Sequence, residues 1–410
     1  MSILMNKRCL SGAILSRFLL PLLVLLLGRA PLPAQDRGLT WAAALSTDLM
    51  YSLPDAAALY GAASWNDFAD TLGSGVYLGT NTLSLSFNGG DRDSAQIVGL
   101  VKFMLPYGEA AALLNNTPQA LPFALECSKL YVTLSFTNSD LSLGRMIVNY
   151  GKGRLFSPED LFSAVNLQDQ ALGRTGTDVL RLQLPLSDLS GIEMVSSLPL
   201  PPEKAVFGGR AFASFGGWDL SALVFHNGGG LSLLQSGAAF SGIGGNGPIA
   251  QASEPALLAG FDVKGDLVAG LYGEALAAIP YKDYHLEPDR SGFSVVLGTD
   301  YSFAGTLFCT VEYQGRFGEG PRIGQFQADT SLFTNLSYKI DDWTSVSSYL
   351  IYAVDTEAWQ VMAALNRSLM RRTSIVLYGA ANRGDVRSLG PSAQNLPVMA
   401  ALGLTLKAAF

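Results

Sequence analysis

Leu402-Gly403-Leu404-Thr405-Leu406-Lys407-Ala408-Ala409-Phe410 closes the chain. Successive side chains of a strand point to opposite sides, so Leu402, Leu404, Leu406, Ala408 and Phe410 share one face. Gly403, Thr405, Lys407 and Ala409 share the other. One face suits hydrocarbon and the other suits water or a packed interior, which is the pattern of a membrane-spanning barrel strand. An edge strand of a soluble sheet alternates in the same way, so the rest of the chain has to decide.

Reading back from Phe410, segments of about 10 residues repeat the alternation, the length that a tilted membrane strand needs. Short connections fall at Asn88-Gly89-Gly90-Asp91, Asn138-Ser139-Asp140, Ser187-Asp188, Gly216-Gly217, Lys264-Gly265-Asp266, Ala304-Gly305, Asp341-Asp342 and Met370-Arg371-Arg372. Mostly longer ones alternate with them, at 53–75, 106–125, 151–176, 198–204, 227–254, 280–291, 318–327 and 382–396. Asp355-Thr356-Glu357 is the one short connection on the long side. This is how an antiparallel up-and-down barrel writes its tight periplasmic turns and long external loops. The expected architecture is all-β, with about 18 strands, or about 16 if the alanine-rich stretch near Leu39 to Leu53 is helical and stays outside. Trp, Tyr and Phe cluster near both strand ends, as two interfacial girdles require.

The final nonapeptide also resembles the C-terminal signal of bacterial outer-membrane proteins, which the barrel-assembly machinery reads during insertion. The resemblance gives Leu402, Leu404, Leu406 and Phe410 that role, and outer-membrane lipid as the surroundings.

The other end reads as a secretory leader over residues 1–34. Lys7, Arg8 and Arg17 precede the apolar run Phe18 to Leu27, and Leu32-Pro33-Ala34 supplies small residues for cleavage. That run is about half the ~20 residues of a spanning helix, and Pro21 interrupts it. The mature chain is therefore expected to be one barrel domain over 35–410. No acidic residue and four basic ones (Lys7, Arg8, Arg17, Arg29) lie in the leader, so of 27 basic and 34 acidic groups the mature chain keeps 23 and 34, a net charge of −11. Such a charge excludes nucleic acid as a partner. Hydrophobic content of 49% and mean hydropathy of +0.26 would suit membrane helices, yet no window after residue 34 nears ~18 consecutive apolar residues. Cys127 and Cys309 are the cysteines beyond the leader, and they make neither a disulfide framework nor a metal motif.

Charge parity is a test of the barrel, because Arg or Lys at the bilayer midplane costs about 2–4 kcal/mol. Arg181 opposes Leu180 and Leu182; Glu312 and Arg316 oppose Val311 and Tyr313; Asp300 opposes Tyr301; Lys339 opposes Tyr338 and Ile340; Asp262 opposes Phe261. Lys102, Arg210 and Glu274 join this polar set. Both signs line one inferred surface in numbers that a dry core would struggle to pair, which favours a hydrated lumen over a salt-bridged plug.

The longest patterned connection follows Leu141-Ser142-Leu143-Gly144-Arg145-Met146-Ile147-Val148-Asn149-Tyr150-Gly151-Lys152-Gly153-Arg154 and continues Leu155-Phe156-Ser157-Pro158-Glu159-Asp160, before the strand Gly176-Thr177-Asp178-Val179-Leu180-Arg181-Leu182. The stretch resembles bacterial porin-like barrels of the alginate-export type, in which a Gly-Arg strand leads to a Gly-x-Gly turn, a Ser-Pro-x-Asp stretch and a leucine-alternating strand. Tyr150 stands where those relatives often carry Trp, and Arg145 breaks the alternation with Leu143 and Ile147, as a local bulge would. The resemblance implies a loop that folds into the pore and constricts it, with Arg145, Lys152, Arg154, Glu159, Asp160, Asp169 and Arg174 as candidates for setting charge selectivity. A loop that only covers the outer mouth is the alternative.

No other chemistry stands out. The glycine clusters lack the Lys-Ser/Thr of a phosphate-binding loop, and two histidines, His226 and His285, do not make a metal site. His226 falls on the opposite parity from Asp219 and Ser221, so a hydrolytic trio does not converge. No cofactor is expected. The sequence thus favours a channel for passive diffusion of small hydrophilic solutes over a surface adhesin or structural barrel, and leaves a homotrimer open. A soluble periplasmic propeller or solenoid is disfavoured by the lack of a fixed repeat.

Overall fold

A computed structural model describes residues 39–410 apart from 54, 57, 59–64, 92, 109–122, 164, 166–171, 199–201, 231–253, 283–284, 320–325 and 385–397. The proposed leader, Asp169 and the centres of several long connections therefore lie outside the described residues.

Alternating sequence becomes antiparallel strands: β1 (Thr40–Leu53), β2 (Val76–Asp91), β3 (Ala95–Gly108), β4 (Ala124–Phe136), β5 (Ser139–Met146), β6 (Thr177–Ser187), β7 (Ser190–Ser197), β8 (Val206–Phe215), β9 (Trp218–Gly228), β10 (Pro255–Asp266) and β11 (Gly270–Lys282). There follow the two-residue β12 (His285–Leu286), then β13 (Gly292–Phe303), β14 (Leu307–Glu319), β15 (Phe326–Lys339), β16 (Thr344–Ala353), β17 (Ala358–Met370), β18 (Thr373–Arg383) and β19 (Val398–Ala409). β12 pairs only with β11, in a small hairpin within one long connection. The other 18 strands pair each with the next, and β1 pairs with both β2 and β19, so the sheet closes on itself. Closure satisfies every edge, which an open sheet in hydrocarbon cannot do. The alanine-rich first segment is thus a strand; helix α1 (Trp65–Gly73) lies in the connection after it.

All eight expected tight turns connect hairpins at one end of the barrel, within a few residues of their sequence positions. β2 and β10 run on through the glycine pair and the Lys-Gly-Asp expected to turn, and bend just beyond them. Three register slips interrupt the ladders, at Leu100/Val101, Pro185/Ser187 and Ser368/Met370. Pro185 has no N–H to donate, so a slip there costs the sheet less than a break in regular pairing would.

The two faces differ as the pattern requires. Leu402, Leu404 and Leu406 are exposed on the outer face, while Gly403 and Thr405 are buried inside. Phe136, Phe215, Phe303 and Trp343 are exposed at the short-turn end, where Trp41 also stacks near Phe87 at 5.0 Å. Aromatic rings fill the space beside strand glycines: a Cβ on Gly403 would lie 2.2 Å from the Tyr378 ring, and one on Gly99 2.1 Å from Phe87. Glycine at 403 is what lets Tyr378 lie flat against the inner wall and donate to the Asp48 carboxylate at 3.0 Å.

Candidate functional site

The chain after β5 turns into the barrel and fills part of it. Leu155, Phe156, Val165 and Leu172 pack with Val296, Phe333, Tyr349, Ile351 and Met362 on the inner face of β13–β17. Val148, Tyr150, Leu161 and Phe162 pack with Val179, Val195, Leu223, Phe225, Leu258 and Leu276 on the inner face of β6–β11. Two apolar clusters on different arcs of the wall hold one loop between them. The described residues of this loop thus pack on the inner wall.

Two wall carboxylates pin the loop backbone. Glu274 on β11 accepts the N–H groups of Lys152 and Gly153, each at 2.5 Å, and the Ser157 hydroxyl at 2.8 Å. Glu312 on β14 accepts the N–H groups of Arg154, of Leu155 at 3.1 Å and of Phe156 at 2.9 Å, and the Tyr272 hydroxyl at 2.7 Å. Both carboxyl groups are buried, so water does not compete for these donors. Glycine at 153 permits this approach, because a Cβ there would lie 1.8 Å from the Phe156 carbonyl oxygen.

Inside the loop, Asp160 accepts the N–H groups of Tyr150 at 2.9 Å and Gly151 at 3.0 Å and pairs with Arg174, which also reaches the Gly153 carbonyl at 3.1 Å. Thr177 donates to the Phe162 carbonyl at 2.6 Å and fastens the loop's return. Arg210 on β8 donates to Asp262 on β10 at 3.1 Å and to Ser221 at 2.7 Å, and the Lys152 ammonium lies 3.7 Å from the other Asp262 oxygen. Glu159 is fully buried beside this group, next to the Asp262 carboxylate. Burial, then the neighbouring Asp262 and Glu274 carboxylates, raise its pKa well above the ordinary carboxylate range.

The structure sorts the sequence candidates. Lys152, Glu159, Asp160, Arg174, Arg210, Asp262, Glu274 and Glu312 converge on the loop and its anchors. Arg181 makes a bidentate pair with Glu193 on β7, at 2.7 and 2.9 Å, and Tyr150 donates to the same carboxylate at 3.0 Å. Arg154 is exposed and has no ion pair among the described residues. Lys102 pairs with Glu126 at 3.2 Å, and Lys264 lies 3.5 Å from Asp300. Arg316 faces Asp329 across the β14–β15 ladder. Lys339 keeps the inward parity of Asn335 but sits at the short-turn end, exposed and paired with Asp342 at 2.7 Å.

Arg145 departs from the expectation. It shares the parity of Leu143, which is half exposed on the outer face, and pairs with Asp178 at 2.6 Å near the long-loop end of the barrel. There is no register slip in β5 to turn it inward; Gly144, at φ +128°, is the local irregularity. At a strand end a long cationic side chain reaches headgroups and water, so the midplane cost does not apply. Tyr150, which stands where the resembling barrels often carry Trp, is buried in the loop.

Sequence reasoning passed over Glu193, Tyr272 and Asp48, and weighed Ser221 only for a hydrolytic trio. Glu193 and Asp48 carried a usable signal, since each is a lone charge on the polar parity of an otherwise neutral strand. His226 lies on the outer face, 2.7 Å from the Tyr281 hydroxyl, while Ser221 faces inward onto Asp262.

The wet inner face inferred from charge holds for part of the wall only. Along β6–β18 most inward side chains are buried, apolar ones such as Phe225, Leu276 and Phe333 included. Along β1–β4 the inward side chains are partly exposed.

No family model matches the sequence, and no curated protein sequence matches it. Among solved structures, Acinetobacter baumannii OccAB4 is similar at 11% identity, covering 92% of this chain and 98% of that one with a TM-score of 0.57. Acinetobacter baumannii OccAB1 is similar at 10% identity, covering 91% and 96%, with a TM-score of 0.54. Pseudomonas aeruginosa OccK1 (OpdK) is similar at 9% identity, covering 90% and 98%, with a TM-score of 0.54. These likenesses show a porin-like β-barrel fold. They add nothing specific to alginate export.

Proposed function

We propose that the protein is an outer-membrane channel through which small hydrophilic solutes diffuse passively. What supports this reading is the closed barrel with an apolar outer face, a loop whose described residues pack on the inner wall of β6–β11 and β13–β18, and inward side chains on β1–β4 that stay partly exposed. A purely structural barrel has no need for a loop held off part of its own wall. The short-turn end then faces the periplasm and the long connections face outward. Residues 1–34 are removed on export, leaving 35–410 as the mature barrel; Leu402, Leu404, Leu406 and Phe410 present the assembly signal; and homotrimer formation is checked by cross-linking in native membranes.

Reconstitution in planar bilayers tests the channel. Stepwise conductance from folded protein is expected, and its absence sinks the reading. The filled arc along β6–β18 favours the adhesin or structural barrel as second reading; that reading requires a silent barrel whose outer loops retain a ligand.

A further inference from the structure

We infer that, given a channel, solutes cross along β1–β4, past inward side chains that the described residues of the inner loop leave partly exposed. The inference rests on the channel reading and goes beyond it in naming a path.

The path follows from an asymmetry. The loop leans on β6–β11 through one apolar cluster and on β13–β18 through the other, and those arcs bury most of their inward side chains. Among the described residues, β1–β5 meet these clusters through Met50, Tyr131 and Met146. Ser46, Thr80, Thr82, Ser84 and Ser86 stay partly exposed on the inward face of β1 and β2.

The wall carries both hydroxyls and charges. Ser84 lies beside Lys102 in register, and Lys102 beside Glu126, 3.2 Å apart and partly exposed on both sides. Lys129 shares the inward face of Leu100 and is partly exposed, with no ion pair among the described residues. Asp48 accepts from Thr405 at 2.6 Å and Tyr378 at 3.0 Å.

Cysteine labelling tests the path. In the full chain with Cys9, Cys127 and Cys309 replaced by alanine, Ser84→Cys is expected to lose conductance when a charged thiol reagent is added to open channels. Ser294→Cys, fully buried on β13, is expected to keep it. Unchanged conductance at Ser84→Cys, or block at Ser294→Cys, overturns the path. Should wild-type protein fail to conduct at all, the channel reading itself falls, a result that these two variants do not mimic.

Charge is read separately. Lys102→Met should shift the reversal potential toward cation preference and Glu126→Gln toward anion preference; no shift in either overturns the path.

Discussion

Glu312, on the wall of β14, accepts the backbone N–H of Phe156 at 2.9 Å across 156 residues of sequence. Its two oxygens serve three consecutive loop N–H groups and one tyrosine hydroxyl, so one side chain fixes the loop at its deepest contact. Glu312→Ala leaves those donors unsatisfied in a buried place, at about 1–3 kcal/mol for each group left without a partner. The expected outcome is a mobile loop: larger and noisier single-channel conductance with the barrel still folded. Glu312→Gln keeps one acceptor oxygen and should fall between.

Glu159 sets a pH dependence whose sign follows from its raised pKa. Between the ordinary carboxylate pKa and the raised one, the folded state holds a proton that the unfolded state has lost. Stability therefore falls as pH rises through that interval and is greatest on its acid side. Burial comes first among the causes, and the neighbouring Asp262 and Glu274 act in the same direction against the Arg210 guanidinium. Thermal unfolding in detergent should show a lower midpoint at about pH 9 than at about pH 6, and Glu159→Gln, which keeps the neutral form, should remove most of that difference. An unchanged slope in the variant places the dependence elsewhere.

Arg181 and Glu193 form the strongest wall pair outside the loop anchors, with Glu193 almost wholly buried and Arg181 about a quarter exposed. Arg181→Ala strands the carboxylate, which keeps only the Tyr150 hydroxyl. The loss is expected at about 2 kcal/mol, below the 3–5 kcal/mol of a wholly buried pair because water reaches the arginine. Removing both charges with Arg181→Met and Glu193→Gln should cost less than Arg181→Ala alone, measured by unfolding in urea.

The barrel was legible because its rule is local: period-two alternation and turn residues survive in the sequence wherever lipid lies on one side. Arg145 was misplaced because alternation gives a face but no height, and height decides whether an outward cation is tolerated. The loop anchors were legible only as inward charges. What Glu274 and Glu312 mostly accept is main-chain N–H, which has no residue signature and comes from 121 to 158 residues away. The buried wall was missed for a related reason: Phe225, Leu276 and Phe333 carry the inward parity, yet an apolar residue on that parity is satisfied only once the loop arrives to cover it.

Val132 and Thr133 are neighbours on β4 with opposite surroundings, and they separate the lipid face from the lumen in a single experiment. Val132 is 40% exposed on the outer face, and Thr133 bonds the Ser142 hydroxyl at 2.8 Å inside. Val132→Arg puts a cation into hydrocarbon well away from the strand ends, at about 2–4 kcal/mol if it lies near the midplane. Thr133→Arg loses one hydroxyl bond but points its charge into the partly exposed side of the lumen. Folding into lipid vesicles, followed by the heat-sensitive mobility of the barrel on gels, should show a clear loss of folded fraction for Val132→Arg and a small one for Thr133→Arg. The reverse order would mean that the two faces have been assigned the wrong way round.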